Sequence, residues 1–213
     1  MTKQSQLPVG VWADLPSSQT LRSALAALRT GPIRFRRNQV IACEGDTADY
    51  VFLVVSGVVR SCRTFRNGDR SVVAFYLPGD LFGWGNETHS FSIEAASDVM
   101  VTLIRRRGLS ALAEGSPRLA NFLRSVVLNE LHRTQEHAAT ITMSAKNRVL
   151  AFLRDWSSRS GESKSIRLQI GHQDIADHLG IKMETLSRTI TELERSGALA
   201  RTSSPRVLRL MRI

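Results

Sequence analysis

Residues Asp174 to Arg188, DIADHLGIKMETLSR, carry the pattern on which the fold turns. With Gln173 in front, the first half predicts a short helix ending at Leu179, because Ile175, Ala176 and Leu179 share one face. Gly180 interrupts it. Glu184 to Arg195 then predicts a second helix with Leu186, Ile190 and Leu193 on its apolar side. Ala176 is small where two helices must approach closely, so the segment is a helix-turn-helix pattern. Beyond it, Ala198 to Arg201 and Val207 to Met211 flank a Ser-Ser-Pro turn, which adds a two-stranded wing.

The rest of the 213-residue chain is ordinary except in charge: 29 Lys+Arg against 19 Asp+Glu leave +10. A 42% hydrophobic content excludes a wholly disordered basic protein, and the length allows one large domain or two small ones. Lysine occurs only at Lys3, Lys146, Lys164 and Lys182, so 25 of the basic residues are arginine, the side chain suited to bidentate contact with phosphate and guanine. Residues 142–213 hold 13 basic and 7 acidic residues, a net of +6, against 16 and 12, a net of +4, over residues 1–141. An acidic polymer or an anionic membrane surface fits that excess, and so does a charged surface kept for solubility. No apolar run approaches the ~18 residues of a membrane span, and Met1 to Gly10 lacks a signal pattern, so a cytoplasmic protein without membrane contact is expected. Cys43 and Cys62, both expected half-buried in strands, make neither a disulfide framework nor a four-cysteine site. Arg60 and Arg63 make Cys62 the better candidate for a redox switch.

A polar lead with a helical patch, Leu21 to Leu28, ends at Gly31-Pro32. Between Ile33 and Ile104 short β-rich runs follow: Gln39 to Cys43, Tyr50 to Val55, Val58 to Phe65, Ser71 to Leu77, Phe91 to Ala95 and Val99 to Ile104. Their turns are Glu44-Gly45-Asp46, Ser56-Gly57, Asn67-Gly68-Asp69 and Pro78-Gly79-Asp80. Strands so short and evenly spaced predict an antiparallel barrel or jelly roll. Ser116 with Pro117 opens a helix of roughly 25 residues, along which Leu123, Val127, Leu131, Thr134, Ala138 and Ile141 form one stripe. A second copy of the chain is the expected cover, giving a parallel homodimer, with packing against the chain's own barrel as the alternative. The fold class expected is therefore α+β: an antiparallel β-roll over 1–115, a dimerisation helix over 116–143, and a winged helix-turn-helix over 144–213.

Glu184, Ser187 and Arg188 stand at i, i+3 and i+4, opposite the apolar residues of their helix. In a DNA major groove a guanidinium donates to guanine O6 and N7, a carboxylate accepts from cytosine N4, and a hydroxyl can meet thymine. Taken alone, the trio also reads as a surface Glu184–Arg188 pair. Double-stranded DNA is the expected partner, with His172, Lys182, Arg195, Arg201 and Arg206 expected on phosphates. No catalytic residues are expected. A cupin-like barrel enzyme needs a metal cluster, and His89 is the only histidine before His132.

Three segments resemble the cyclic-AMP-receptor/fumarate-nitrate-regulator superfamily of bacterial transcription factors: Val54 to Arg60 (VVSGVVR), Phe75 to Gly83 (FYLPGDLFG) and Asp174 to Arg188. Glu184, Ser187 and Arg188 match the Glu-x-x-Ser-Arg arrangement of the FixK-like and fumarate-nitrate branches. That resemblance implies a cyclic-nucleotide-binding-like β-roll, a homodimer, palindromes with TTGA-type half-sites, RNA polymerase as a partner, and no enzymatic activity. Met183 stands where cyclic-AMP-receptor types place a base-reading arginine. Cyclic-nucleotide binders carry a glutamate and an Arg-Ser/Thr-Ala triplet where this chain has Trp84 and His89-Ser90-Phe91, so no cyclic AMP is expected. With Cys43 as the first cysteine, the N-terminal cluster of the iron–sulfur members is missing. Haem through His89, His132 or His137, or another effector in the β-roll, stays open as the rival sensor reading. Gly171 and Lys182 replace the Ser/Thr caps common in the family at the starts of the two motif helices.

Overall fold

The computed structural model describes residues 19–84, 87–161, 166–201 and 207–210. Helix α1 (Gln19–Ala27) precedes strands β1 (Ile33–Phe35), β2 (Val40–Ala42), β3 (Tyr50–Ser56), β4 (Val59–Thr64), β5 (Arg70–Tyr76), β6 (Leu81–Phe82), β7 (Ser92–Ala95) and β8 (Val99–Arg105). Helices α2 (Arg106–Glu114), α3 (Pro117–Thr140) and α4 (Ala145–Ser160) follow. The chain ends in β9 (Ile166–Arg167), α5 (His172–Leu179), α6 (Met183–Arg195), β10 (Leu199–Arg201) and β11 (Val207–Leu210). This is the α+β order expected. Residues group into two compact units, Met1–Arg60 with Phe75–His132, and Ser61–Ala74 with Arg133–Ile213.

The β-roll is built from two four-stranded sheets, ordered β1-β8-β3-β6 and β2-β7-β4-β5. Strand β3 pairs antiparallel with β8, Val51 facing Ile104 and Leu53 facing Thr102. Its alternating side chains serve two layers. Val51 and Leu53 join Leu25, Leu81, Ile104, Leu109, Leu119, Leu123 and Val126 in the core beneath helices α1, α2 and α3. Phe52 stacks on Phe82 at 5.3 Å, and Phe82 stacks on Tyr76 at 4.0 Å. Each aliphatic side chain so buried contributes about 1.5–3 kcal/mol. At the β3–β4 turn Gly57 has φ +79°, and a Cβ there would lie 2.2 Å from the Asp98 carbonyl oxygen, so only glycine fits.

Several features depart from expectation. Strands β1, β6 and β9 and helix α2 were not predicted, and α4, which the sequence predicts over Ala145 to Trp156, runs to Ser160, where Gly161 at φ +68° stops it. Cys62 is 1% exposed, which removes the accessible setting a redox switch requires; Cys43 is exposed and lies beyond β2. Leu123 was expected on the partner-facing stripe, but the chain's own core takes it. Residues 1–18, the Ser-Ser-Pro turn and Arg206 lie outside the described residues. Among the described residues no helix is long and apolar enough to cross a membrane.

In the second unit α4, α5 and α6 pack on one another and on a three-stranded sheet ordered β10-β11-β9. Val149, Leu153, Trp156, Ile175, Leu179, Leu186 and Leu193 are all buried in it. That packing holds α6 with Glu184, Ser187 and Arg188 on its exposed side.

Candidate nucleic-acid interface

Helix α5 ends at Gly180, φ +60°, whose N–H donates to the Ala176 carbonyl; the Ile181 N–H donates to the same oxygen at 3.1 Å. This tight turn brings α6 across α5, and Ala176, fully buried, leaves room for the crossing. Leu186, Thr189, Ile190 and Leu193 of α6 face inward. Glu184, Ser187 and Arg188 are exposed on the other side, as their spacing requires. Among the described residues no ion pair engages Glu184 or Arg188, and the surface pair between them is not formed. Met183, 45% exposed, sits beside them at the start of α6.

Neither α5 nor α6 has a side-chain cap, Gly171 and Lys182 being in extended conformation with no cap hydrogen bond. The first backbone N–H groups of each helix are therefore unshared with a side chain, an arrangement favourable to anions. Glu184 in the first turn of α6 has the sign the helix dipole prefers. His172 and Lys182 are exposed at the two helix starts, Arg195 is exposed in the last turn of α6, and Arg201 belongs to β10.

Residues without a sequence signal hold this frame. Arg148 of α4 donates to the Leu179 carbonyl at 2.9 Å and to the Met143 carbonyl at 3.0 Å, tying the end of α5 to the turn before α4. Lys146 pairs with Glu192 of α6 at 3.0 Å, an exposed contact of small energetic weight. His178 lies against His137, ring centroids 4.1 Å apart, and edge-on to Phe152 at 5.7 Å.

Burial pushes the His178 imidazole down to about 3, the neighbouring His137 and Arg159 adding to the shift and the Val72 carbonyl opposing it. Burial lowers His137 and His89 as well. In the unfolded chain His178 gains its proton near its ordinary 6.5, whereas the folded protein resists until about 3. Its contribution to stability is complete above 6.5 and is lost progressively as pH falls below that value toward about 3. Urea midpoints at pH 7.5 and pH 5 should differ by less in His178→Asn than in the parent; an equal difference would assign the acid sensitivity to other groups.

The cyclic nucleotide-binding domain model matches residues 32–116, and the Crp-like helix-turn-helix domain model matches residues 147–212. The nitrogen fixation regulation protein FixK of Azorhizobium caulinodans is 41% identical over 96% of this chain and 84% of its own. This chain belongs to the CRP/FNR superfamily of transcription regulators, on its FixK-like branch. A further relative, the transcriptional activatory protein AadR of Rhodopseudomonas palustris, is 33% identical over 76% of this chain and 71% of its own. The FixK2 structure from Bradyrhizobium japonicum superposes with a TM-score of 0.81 at 32% identity, covering 86% of this chain and 93% of that one. Its CRP/FNR membership makes this chain a helix-turn-helix DNA-binding regulator rather than an enzyme.

Proposed function

We propose that the chain acts as a homodimeric activator that reads a palindrome with TTGA-type half-sites through α6 and needs no cyclic AMP. The reading is carried by one observation: Glu184, Ser187 and Arg188 form an exposed face on α6 with no ion pair among the described residues spent on either charge. Arg188 binds guanine, Glu184 accepts from cytosine and Ser187 meets thymine. His172, Lys182, Arg195, Arg201 and Arg206 serve the phosphates, which set affinity and salt dependence but not sequence. The dimer is supported by Val127, Leu128, Leu131 and Ile141, bulky apolar residues of and beside α3 that are 40–55% exposed in the single chain. Independence from cyclic AMP rests on Trp84 and on His89-Ser90-Phe91, which supply no arginine for the cyclic phosphate. No cofactor is assigned, and haem is the outcome that would overturn this. Activation requires contact with RNA polymerase, and the activator AadR among the relatives supports that role.

Titration of the purified protein onto a TTGA palindrome without added ligand tests the reading. Binding with a Kd of about 10⁻⁸ M or tighter is expected, with at least a thousandfold preference over a scrambled duplex. An absorbance spectrum of the same preparation should show no Soret band. The match of residues 32–116 to the cyclic nucleotide-binding domain favours the rival, an effector-dependent sensor; binding that appears only on adding a ligand would establish it.

A further inference from the structure

Arg70 is far from the helix-turn-helix in sequence, yet two carboxylates of α5 hold its guanidinium. Its Nη2 lies 2.6 Å from Asp174 Oδ1 and 2.7 Å from Asp177 Oδ2, and its Nε donates to Asp177 Oδ2 at 2.8 Å. The Arg70, Asp174 and Asp177 side chains are 25%, 4% and 11% exposed. Two residues along the same strand, the Val72 carbonyl accepts from His178 Nδ1 at 2.9 Å. Strand β5 is an edge strand, so its outward backbone groups are available for such a contact. Asp174, Asp177 and His178 stand at i, i+3 and i+4, one face of α5 presented to the β4–β5 hairpin. Gln173 supports the arrangement by donating to Asp177 Oδ1 at 2.6 Å.

Burial alone would lower the Arg70 guanidinium, but its hydrogen bonds and the charges of Asp177 and Asp174 outweigh that and hold it above its ordinary value. An arginine can bridge two carboxylates in this way because its donors form a planar fork. Helix α5 in turn supplies the floor on which α6 rests, through buried Ala176 and the Gly180 turn. Any tilt of α5 is therefore passed to the face that bears Glu184 and Arg188.

We propose that Arg70 is a positioning residue for DNA recognition: by clasping Asp174 and Asp177 it fixes α5 on the hairpin and so sets the placement of α6. This rests on the DNA-binding function proposed above. The alternative for a buried-edge arginine in a DNA-binding unit is direct contact with phosphate, and the two differ in what the carboxylates contribute.

Affinity for the TTGA duplex is measured for the parent, Arg70→Gln, Arg70→Lys, the pair Asp174→Asn with Asp177→Asn, and the triple variant Arg70→Gln, Asp174→Asn, Asp177→Asn. Amide hydrogen exchange is followed on the free proteins. Arg70→Gln should lose about tenfold in affinity, Arg70→Lys should recover part of it, and Arg70→Gln should cost nothing further once both carboxylates are asparagine. The amides of α5 and of the hairpin should exchange at least about tenfold faster in Arg70→Gln. A loss that persists in full in the asparagine background, or unchanged exchange in α5, overturns the proposal. Exchange is read without DNA, so a parent that binds no duplex would refute the function while the clasp is still decided.

Discussion

Arg188→Ala is expected to weaken binding to the palindrome by 1–3 kcal/mol, about 5- to 160-fold in Kd, and to erase the preference for the G·C pair assigned to it. The size follows from geometry. Arg188 is exposed on the outward face of α6, one turn after Glu184, and among the described residues no ion pair holds it. Its fork can therefore meet guanine O6 and N7 together without first breaking a bond inside the protein. Arg188→Lys should not restore the preference, because an ammonium is a point donor. Lys182→Ala gives the contrast: exposed at the start of α6, Lys182 is assigned to phosphate in the proposed function, so its loss should weaken all sequences alike and reduce the salt slope by about 1. Binding isotherms on the palindrome and on single-base variants, at several salt concentrations, separate the two. Unchanged affinity and base preference in Arg188→Ala would remove it from the reading face.

What could be read from the sequence was what repeats locally. The helix-turn-helix needs only an apolar period, a glycine and a small residue, and Ala176, Gly180 and Leu186 sit where that reading puts them. The strands bounded by Gly-containing turns were legible for the same reason. Helix α2 was not: it opens on arginines and contains Gly108, which favours no helix. Tertiary packing explains it, because Leu109 is fully buried and a Cβ at Gly108 would stand 2.3 Å from Leu28 Cδ2. Strands β6 and β9, two residues each, exist only through their partners. Arg70 carried no signal, since its carboxylates lie more than a hundred positions away. The stripe on α3 was half legible: a spacing shows that residues share a face, not which surface covers each part of it.

That division within α3 leads to the largest effect expected. Leu119, Leu123 and Val126 turn into the chain's own core, whereas Val127 and Leu131 are 40% and 50% exposed and Thr134 and Ala138 are exposed beside them. From Val127 onward the intervals are 4, 3 and 4, the 3.5-residue period of a helix that pairs with a copy of itself. In the proposed dimer an aspartate at the centre of that stripe would meet its own symmetry mate, two like charges desolvated together. Leu131→Asp is therefore expected to be monomeric by sedimentation equilibrium while keeping the parent's circular dichroism, since Leu131 is half-exposed and lies outside the core beneath α1, α2 and α3. A palindrome rewards two linked half-site contacts, and losing the link costs on the order of a hundredfold or more in affinity. Binding to an isolated half-site should be unchanged, because α6 is untouched. A dimer that survives Leu131→Asp would move the interface off this face of α3, and with it the source of the two-fold symmetry that the palindrome requires.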